Sequence, residues 1–124
     1  MNESNRRTKR IAQLIRDHVA RYLVSAVDDK RLTQVVITDV RISDDLGTAW
    51  LSVRMLVSQG TEAERKQCVK QLQVLAGRLR KSLAPVLGLR RVPELRFAFD
   101  EGVDAQHRVE DILKEIDSDR DKSS

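Results

Sequence analysis

Nine cationic side chains crowd into residues 65–96: Arg65, Lys66, Lys70, Arg78, Arg80, Lys81, Arg90, Arg91 and Arg96, against one acid, Glu94. The segment carries +8 in a chain of net charge +4. With so few acids at hand, internal ion pairing neutralises little of this charge. Like charges one turn apart on a helix repel by on the order of a few tenths of a kcal/mol per pair. Such a lopsided field points to a polyanionic partner, and nucleic acid is the commonest. The plainer alternative is a solvated face; a phosphate partner differs from it by relieving the repulsion. A second cationic group, Arg6, Arg7, Lys9 and Arg10, stands at the start of a helical pattern, where positive charge opposes the helix dipole.

Other reactive residue types form no constellation. The histidines, His18 and His107, and the lone cysteine, Cys68, are far apart and lack metal-ligand spacing. His18 falls on an apolar helical stripe and reads as a packed, hydrogen-bonded histidine. Cys68 reads as a small core residue. Asp44 and Asp45 are adjacent acids before Gly47 and read as turn formers rather than a catalytic pair. Nothing supplies a nucleophile, a base and oxyanion donors together, so neither catalysis, a metal nor a cofactor is expected.

The elements that must carry the cations can be read from periodicity. Ile11, Leu14, Ile15, His18, Val19, Tyr22, Leu23 and Ala26 recur at helical spacing, predicting an amphipathic helix from about Asn5 to Val27. Residues 34–43 alternate as a strand, with Val36, Thr38, Val40 and Ile42 on one side and Val35, Ile37, Asp39 and Arg41 on the other. Asp44-Asp45-Leu46-Gly47 is a turn. Ala49, Leu51, Val53, Met55 and Val57 then face one way on a second strand, making an antiparallel hairpin. Thr61 and Glu64 have the spacing of a capping box. Cys68, Leu72, Leu75, Ala76, Leu79, Leu83 and Leu87 continue as a helical stripe, crossed by two breakers, Gly77 and Pro85. Leu95, Phe97 and Phe99 alternate in a third strand after Pro93. Val109, Ile112, Leu113 and Ile116 form a weaker helical pattern.

Composition bounds the rest. At 124 residues the chain suits one domain, and four aromatic residues leave little for base stacking. One cysteine forbids an internal disulfide, and no apolar run approaches the roughly 20 residues that span a bilayer. A cytoplasmic monomer is expected. Residues 97–124 carry −5, and residues 117–124 lack apolar anchors, which predicts a disordered acidic tail after a domain of residues 1–116.

Several motifs carry a resemblance over roughly residues 6–116. They are Arg7-x-x-Arg10-Ile11, Lys30-Arg31-Leu32, Val36-Ile37-Thr38-Asp39-Val40, Ser43-x-Asp45-Leu46-x-x-Ala49, Gly77-x-Leu79-Arg80, and Arg91-Val92-Pro93-Glu94-Leu95-x-Phe97-x-x-Asp100. In order and spacing they resemble the ribosome-binding factor A family, bacterial assembly factors of the small ribosomal subunit. The resemblance implies an α+β fold, type II KH-like and ordered αββααβ. Helices would pack on one face of a three-stranded sheet, with a kinked helix pair replacing the nucleotide-clamping Gly-x-x-Gly loop. The aligned triplet here is Leu75-Ala76-Gly77, with Leu in its first place.

The resemblance also implies a factor that binds free small subunits and promotes their late assembly and rRNA maturation without catalysis. Arg7, Arg10, Ala76, Gly77, Arg78, Arg80, Lys81, Arg90 and Arg91 are the candidate RNA-binding residues. Gly77 is either a tolerated glycine in one continuous helix or a bend that brings backbone close to phosphate, and the resemblance favours the bend. A competing reading is a basic amphipathic module whose first helix lies on a membrane surface or in a protein partner's groove.

Overall fold

A computed structural model of the chain describes residues 3–28, 30–56, 58 and 60–100. In order these form helix α1 (Glu3–Ser25), a single 3-10 turn (Leu32–Gln34), strands β1 (Val35–Ile42) and β2 (Thr48–Met55), helix α2 (Glu62–Leu87) and strand β3 (Glu94–Phe99). The sheet order is β1-β2-β3, with β1 antiparallel and β3 parallel to β2. The architecture is the expected α+β one, with both helices over one face of a three-stranded mixed sheet. The expected helical pattern at Val109–Ile116 and the acidic tail lie outside the described residues.

α1 forms because its apolar residues recur every three to four positions. Ile11, Ile15, Val19 and Leu23 are each at most 1% exposed. They meet Leu51 and Val53 of β2 and Leu72, Leu79 and Leu83 of α2 in one aliphatic core. Burying each such side chain contributes about 1.5–3 kcal/mol. Leu14 and Tyr22 pack partly buried against this core, while Ala26 and, off the stripe, Val24 (66%) are exposed. Most of the stripe thus faces the core, which leaves little of it for a membrane or a partner's groove. No helix among the described residues is long and apolar enough to cross a membrane.

β1 departs from simple alternation. Val35 and Ile37 are buried and Val36 is 40% exposed, yet further on Val40 and Ile42 pack against the core. The pairing with β2 shifts between Ile37 and Asp39. One extra residue at Thr38 makes a bulge, which exchanges the two faces of the strand. The two side sets predicted for this strand are thus each inward over half of it. In the hairpin loop Ser43 Oγ accepts from the backbone N–H of Gly47 (3.1 Å) and Thr48 (3.0 Å) and donates to Asp45 Oδ1 (2.7 Å). The left-handed residue of this turn is Leu46 (φ 59°), not the neighbouring glycine.

α2 opens on the predicted capping box. The Glu64 N–H donates to Thr61 Oγ1 (3.1 Å) and the Thr61 N–H to Glu64 Oε1 (3.3 Å). The helix ends at Gly88, a left-handed cap (φ 62°) that glycine adopts without penalty. Between these caps the two expected helices are one. α2 runs unbroken for 26 residues through both Gly77 and Pro85. Leu72, Ala76, Leu79, Leu83 and Leu87 stay in phase across Gly77 and all point inward. Pro85 lies in the final turn, where it removes one donor without ending the helix.

Candidate nucleic-acid interface

The inward stripe of α2 determines its outward face. Ala76 belongs to the inward set and is 8% exposed. It packs in the core and is unavailable to RNA, which corrects its place among the candidate contacts. Its neighbour Gly77 is exposed, and a Cβ built there meets nothing within 4 Å. Lys70, seven residues before Gly77, and Lys81, four after it, share its face of the helix, with Arg78 beside them. Arg90 and Arg91 follow in the loop to β3 and are also exposed.

From Lys66 to Arg91 every exposed charged residue is basic: Lys66, Lys70, Arg78, Lys81, Arg90 and Arg91. Lys66 pairs with Glu62 one turn earlier (3.4 Å). The other five make no ion pair among the described residues. Val74, 76% exposed, lies among them as an apolar spot on the cationic face.

Three other cations of the segment are occupied within the fold. Arg65 donates to the Gly60 carbonyl (3.0 Å) and stands over the Phe99 ring at 5.6 Å. Arg96 pairs with Glu94 (3.4 Å) on the opposite face of the sheet. Arg80 is half-buried and donates through Nη2 to the Val92 carbonyl (2.8 Å). The +8 segment thus divides into an outward cationic surface and a few structural arginines.

α1 contributes a second row. Arg6, Arg7, Lys9 and Arg10 are all exposed. The side of α1 that faces α2 is marked by His18, whose Nε2 lies 2.6 Å from Ser82 Oγ. Burial, and secondarily the nearby Arg21 charge, hold the His18 pKa below its ordinary value. Arg7, three turns before His18, stands on that same side of α1. On α2, Arg78 stands one turn before Ser82. Arg7 and Arg78 therefore flank the seam between the two helices.

Sequence reasoning passed over two residues in choosing its site. Lys70 had a usable signal, its spacing from Gly77 and Lys81. Gln73 had none. Its side chain bonds backbone of β3, accepting from the Phe97 N–H (3.1 Å) and donating to the Leu95 carbonyl (2.8 Å). Among the described residues no cluster of three His, Cys, Asp or Glu side chains could hold a metal ion.

A small α+β domain with an acid-free cationic face on its helical layer is the class that fold and surface define. Residues 7–113 match the family described as ribosome-binding factor A. Among curated relatives, ribosome-binding factor A of Sorangium cellulosum is 39% identical over 111 residues, covering 90% of this chain and 89% of the relative. That of Geotalea uraniireducens is 33% identical, covering 91% and 90%. The chain belongs to the ribosome-binding factor A family. Its fold is similar to the solution structure of a Thermotoga maritima protein named as a candidate ribosome binding factor A. That similarity has a TM-score of 0.61 at 29% identity and covers 85% of this chain and 96% of that one. It is also similar in fold to Thermus thermophilus ribosome binding factor A as fitted into a cryo-EM map of a 30S complex. There the TM-score is 0.54 at 24% identity, over 69% of this chain and 87% of that one.

Proposed function

We propose that this protein is a non-catalytic factor that binds the free small ribosomal subunit and promotes late subunit assembly and rRNA maturation. The observation that carries the reading is the outward face of α2 and its following loop, where five unpaired cations stand together with no acid among them. Lys70, Arg78, Lys81, Arg90 and Arg91 contact phosphates, with Arg7 and Arg10 extending the surface along α1. Gly77 lets backbone approach the RNA closely. Family membership adds the ribosome as the source of that RNA, and the Thermus thermophilus relative fitted in a 30S complex supports the small subunit.

The mechanism is differential binding. Lysine and arginine contacts to phosphate hold one rRNA conformation, and affinity falls when maturation changes the phosphate geometry. Such contacts position the protein and carry little sequence information. The protein acts as a cytoplasmic monomer, through a domain of residues 1–116 with an acidic tail of residues 117–124.

The test is cosedimentation of the full chain with free small subunits and with complete ribosomes at stepped salt. The expected result is retention on free small subunits that weakens as salt rises. Equal retention on both particles, or indifference to salt, overturns the reading.

A further inference from the structure

Two side chains of α2 fasten the last strand to the helix from one flank. Gln73 occupies the outer edge of β3 at Leu95 and Phe97, where it makes the two backbone bonds that an added strand would make. Seven residues and two turns further, Arg80 reaches the lead-in to that strand and bonds the Val92 carbonyl. The Arg80 Nε is buried with no acceptor among the described residues. A guanidinium in this state is a poor phosphate ligand, because one arm is engaged and Nε is closed to a bidentate approach.

The loop it touches packs Leu89 and Val92 against the core but is otherwise lightly held in hydrogen bonds. It leaves α2 at the left-handed Gly88, whose N–H bonds the Ala84 carbonyl (3.3 Å), and it re-enters the fold at the buried Pro93. Between them, the bond from Arg80 is the only hydrogen bond to loop backbone among the described residues. The same loop displays Arg90 and Arg91.

Resting on the phosphate-binding reading above, we infer that Arg80 is a positioning residue, which pins the loop at Val92 so that Arg90 and Arg91 meet the RNA in a fixed place. Its Nη2 donor is engaged inside the fold. Arg80 thus acts on the RNA through its two neighbours.

The experiment uses the full chain with Arg80→Met, which keeps the stem and removes the donor, and Arg80→Lys, which keeps the charge and N–H donors on a stem one bond shorter than the one that carries Arg80 Nη2 to its contact. In free Arg80→Met, NMR order parameters fall at Leu89–Val92 while the helices and sheet are unchanged. Its small-subunit affinity falls by about tenfold, equivalent to two exposed ion pairs with phosphate. Introduced into the Arg90→Ala/Arg91→Ala variant, Arg80→Met costs nothing further, and Arg80→Lys restores both loop order and binding. An unchanged loop in Arg80→Met, or a binding loss that adds in full to that of the double variant, overturns the inference alone. Wild-type binding by Arg90→Ala/Arg91→Ala defeats the phosphate reading of this loop, and the positioning role with it.

Discussion

Replacing Gly77 by alanine separates what the fold needs from what a bound partner needs. Glycine inside a helix costs about 0.5–1 kcal/mol relative to alanine, because it loses more backbone freedom on folding. Gly77 is an interior residue of a continuous α2, its φ is not positive, and a Cβ there would touch nothing within 4 Å. Neither a steric penalty nor a burial gain enters. Gly77→Ala should therefore stabilise the free protein by about 0.5–1 kcal/mol, or about 2–5 °C in Tm. Urea titration followed through Trp50, the only tryptophan, measures this. The fold gains nothing visible from the glycine, and on the proposed phosphate-binding reading its return lies in the complex. On the outward face between Lys70 and Lys81, the new methyl holds an approaching phosphate away. Small-subunit affinity should fall by roughly fivefold or more, equivalent to about 1 kcal/mol. A destabilised variant refutes the structural half of this reasoning. A stabilised variant that binds like wild type refutes the functional half, and leaves Gly77 as a tolerated helix residue.

Further outcomes can be stated more briefly. With five phosphates neutralised, log K for small subunits should fall against log salt with a slope of about −4 to −5, and a slope near zero excludes the cationic face as the binding surface. Because the His18 pKa is lowered on folding, the unfolded chain takes up its proton first, so stability should fall as pH drops below the ordinary value of 6.5. Replacing His18 with Gln should flatten that decline in urea midpoints between neutral and mildly acidic pH. Leu46→Asn should raise stability by up to about 1 kcal/mol, since asparagine tolerates the left-handed turn conformation better than leucine; an unchanged thermal midpoint argues against strain there. Deleting Asp117–Ser124 removes three acids and two bases. The truncated chain should fold, by circular dichroism, and bind small subunits at least as well at low salt; lost binding would place essential contacts in the tail.

Much of the fold was legible because its signals are local and periodic. The stripes of α1 and α2, the capping box at Thr61 and Glu64, and the alternation of Leu95, Phe97 and Phe99 each follow from residues within one element. The bulge in β1 was not legible. A single extra residue at Thr38 exchanges the strand's faces, and both side sets hold enough apolar residues to pass as the inner one. Gly77 and Pro85 look like helix breakers by propensity, yet the leucines around Gly77 keep phase and tertiary packing outweighs its modest cost. Within the site, net charge marked the segment without sorting its members. Whether a cation faces solvent, as Arg78 does, or bonds a distant carbonyl, as Arg80 does, depends on where β3 and its loop come to rest. The inward turn of Ala76 was available from the stripe itself, of which it is a member.

The parallel pairing of β3 with β2 also has a bearing on how the chain is made. β1 and β2 are joined by a short turn and can zip together as soon as both are synthesised, whereas β3 cannot pair until all of α2 lies between them. Until residue 99 has left the ribosome, the central strand presents a naked edge, with the carbonyls of Gly47 and Val53 still waiting for the N–H groups of Glu94 and Asp100. An uncovered edge beside Ala49, Leu51 and Val53 is a template for pairing with another nascent chain. The interval of greatest aggregation risk is therefore the translation of about forty codons between β2 and β3, about 2–8 s at ordinary elongation rates. Slowing elongation across that stretch should reduce the soluble yield of this protein more than the same delay placed after β3.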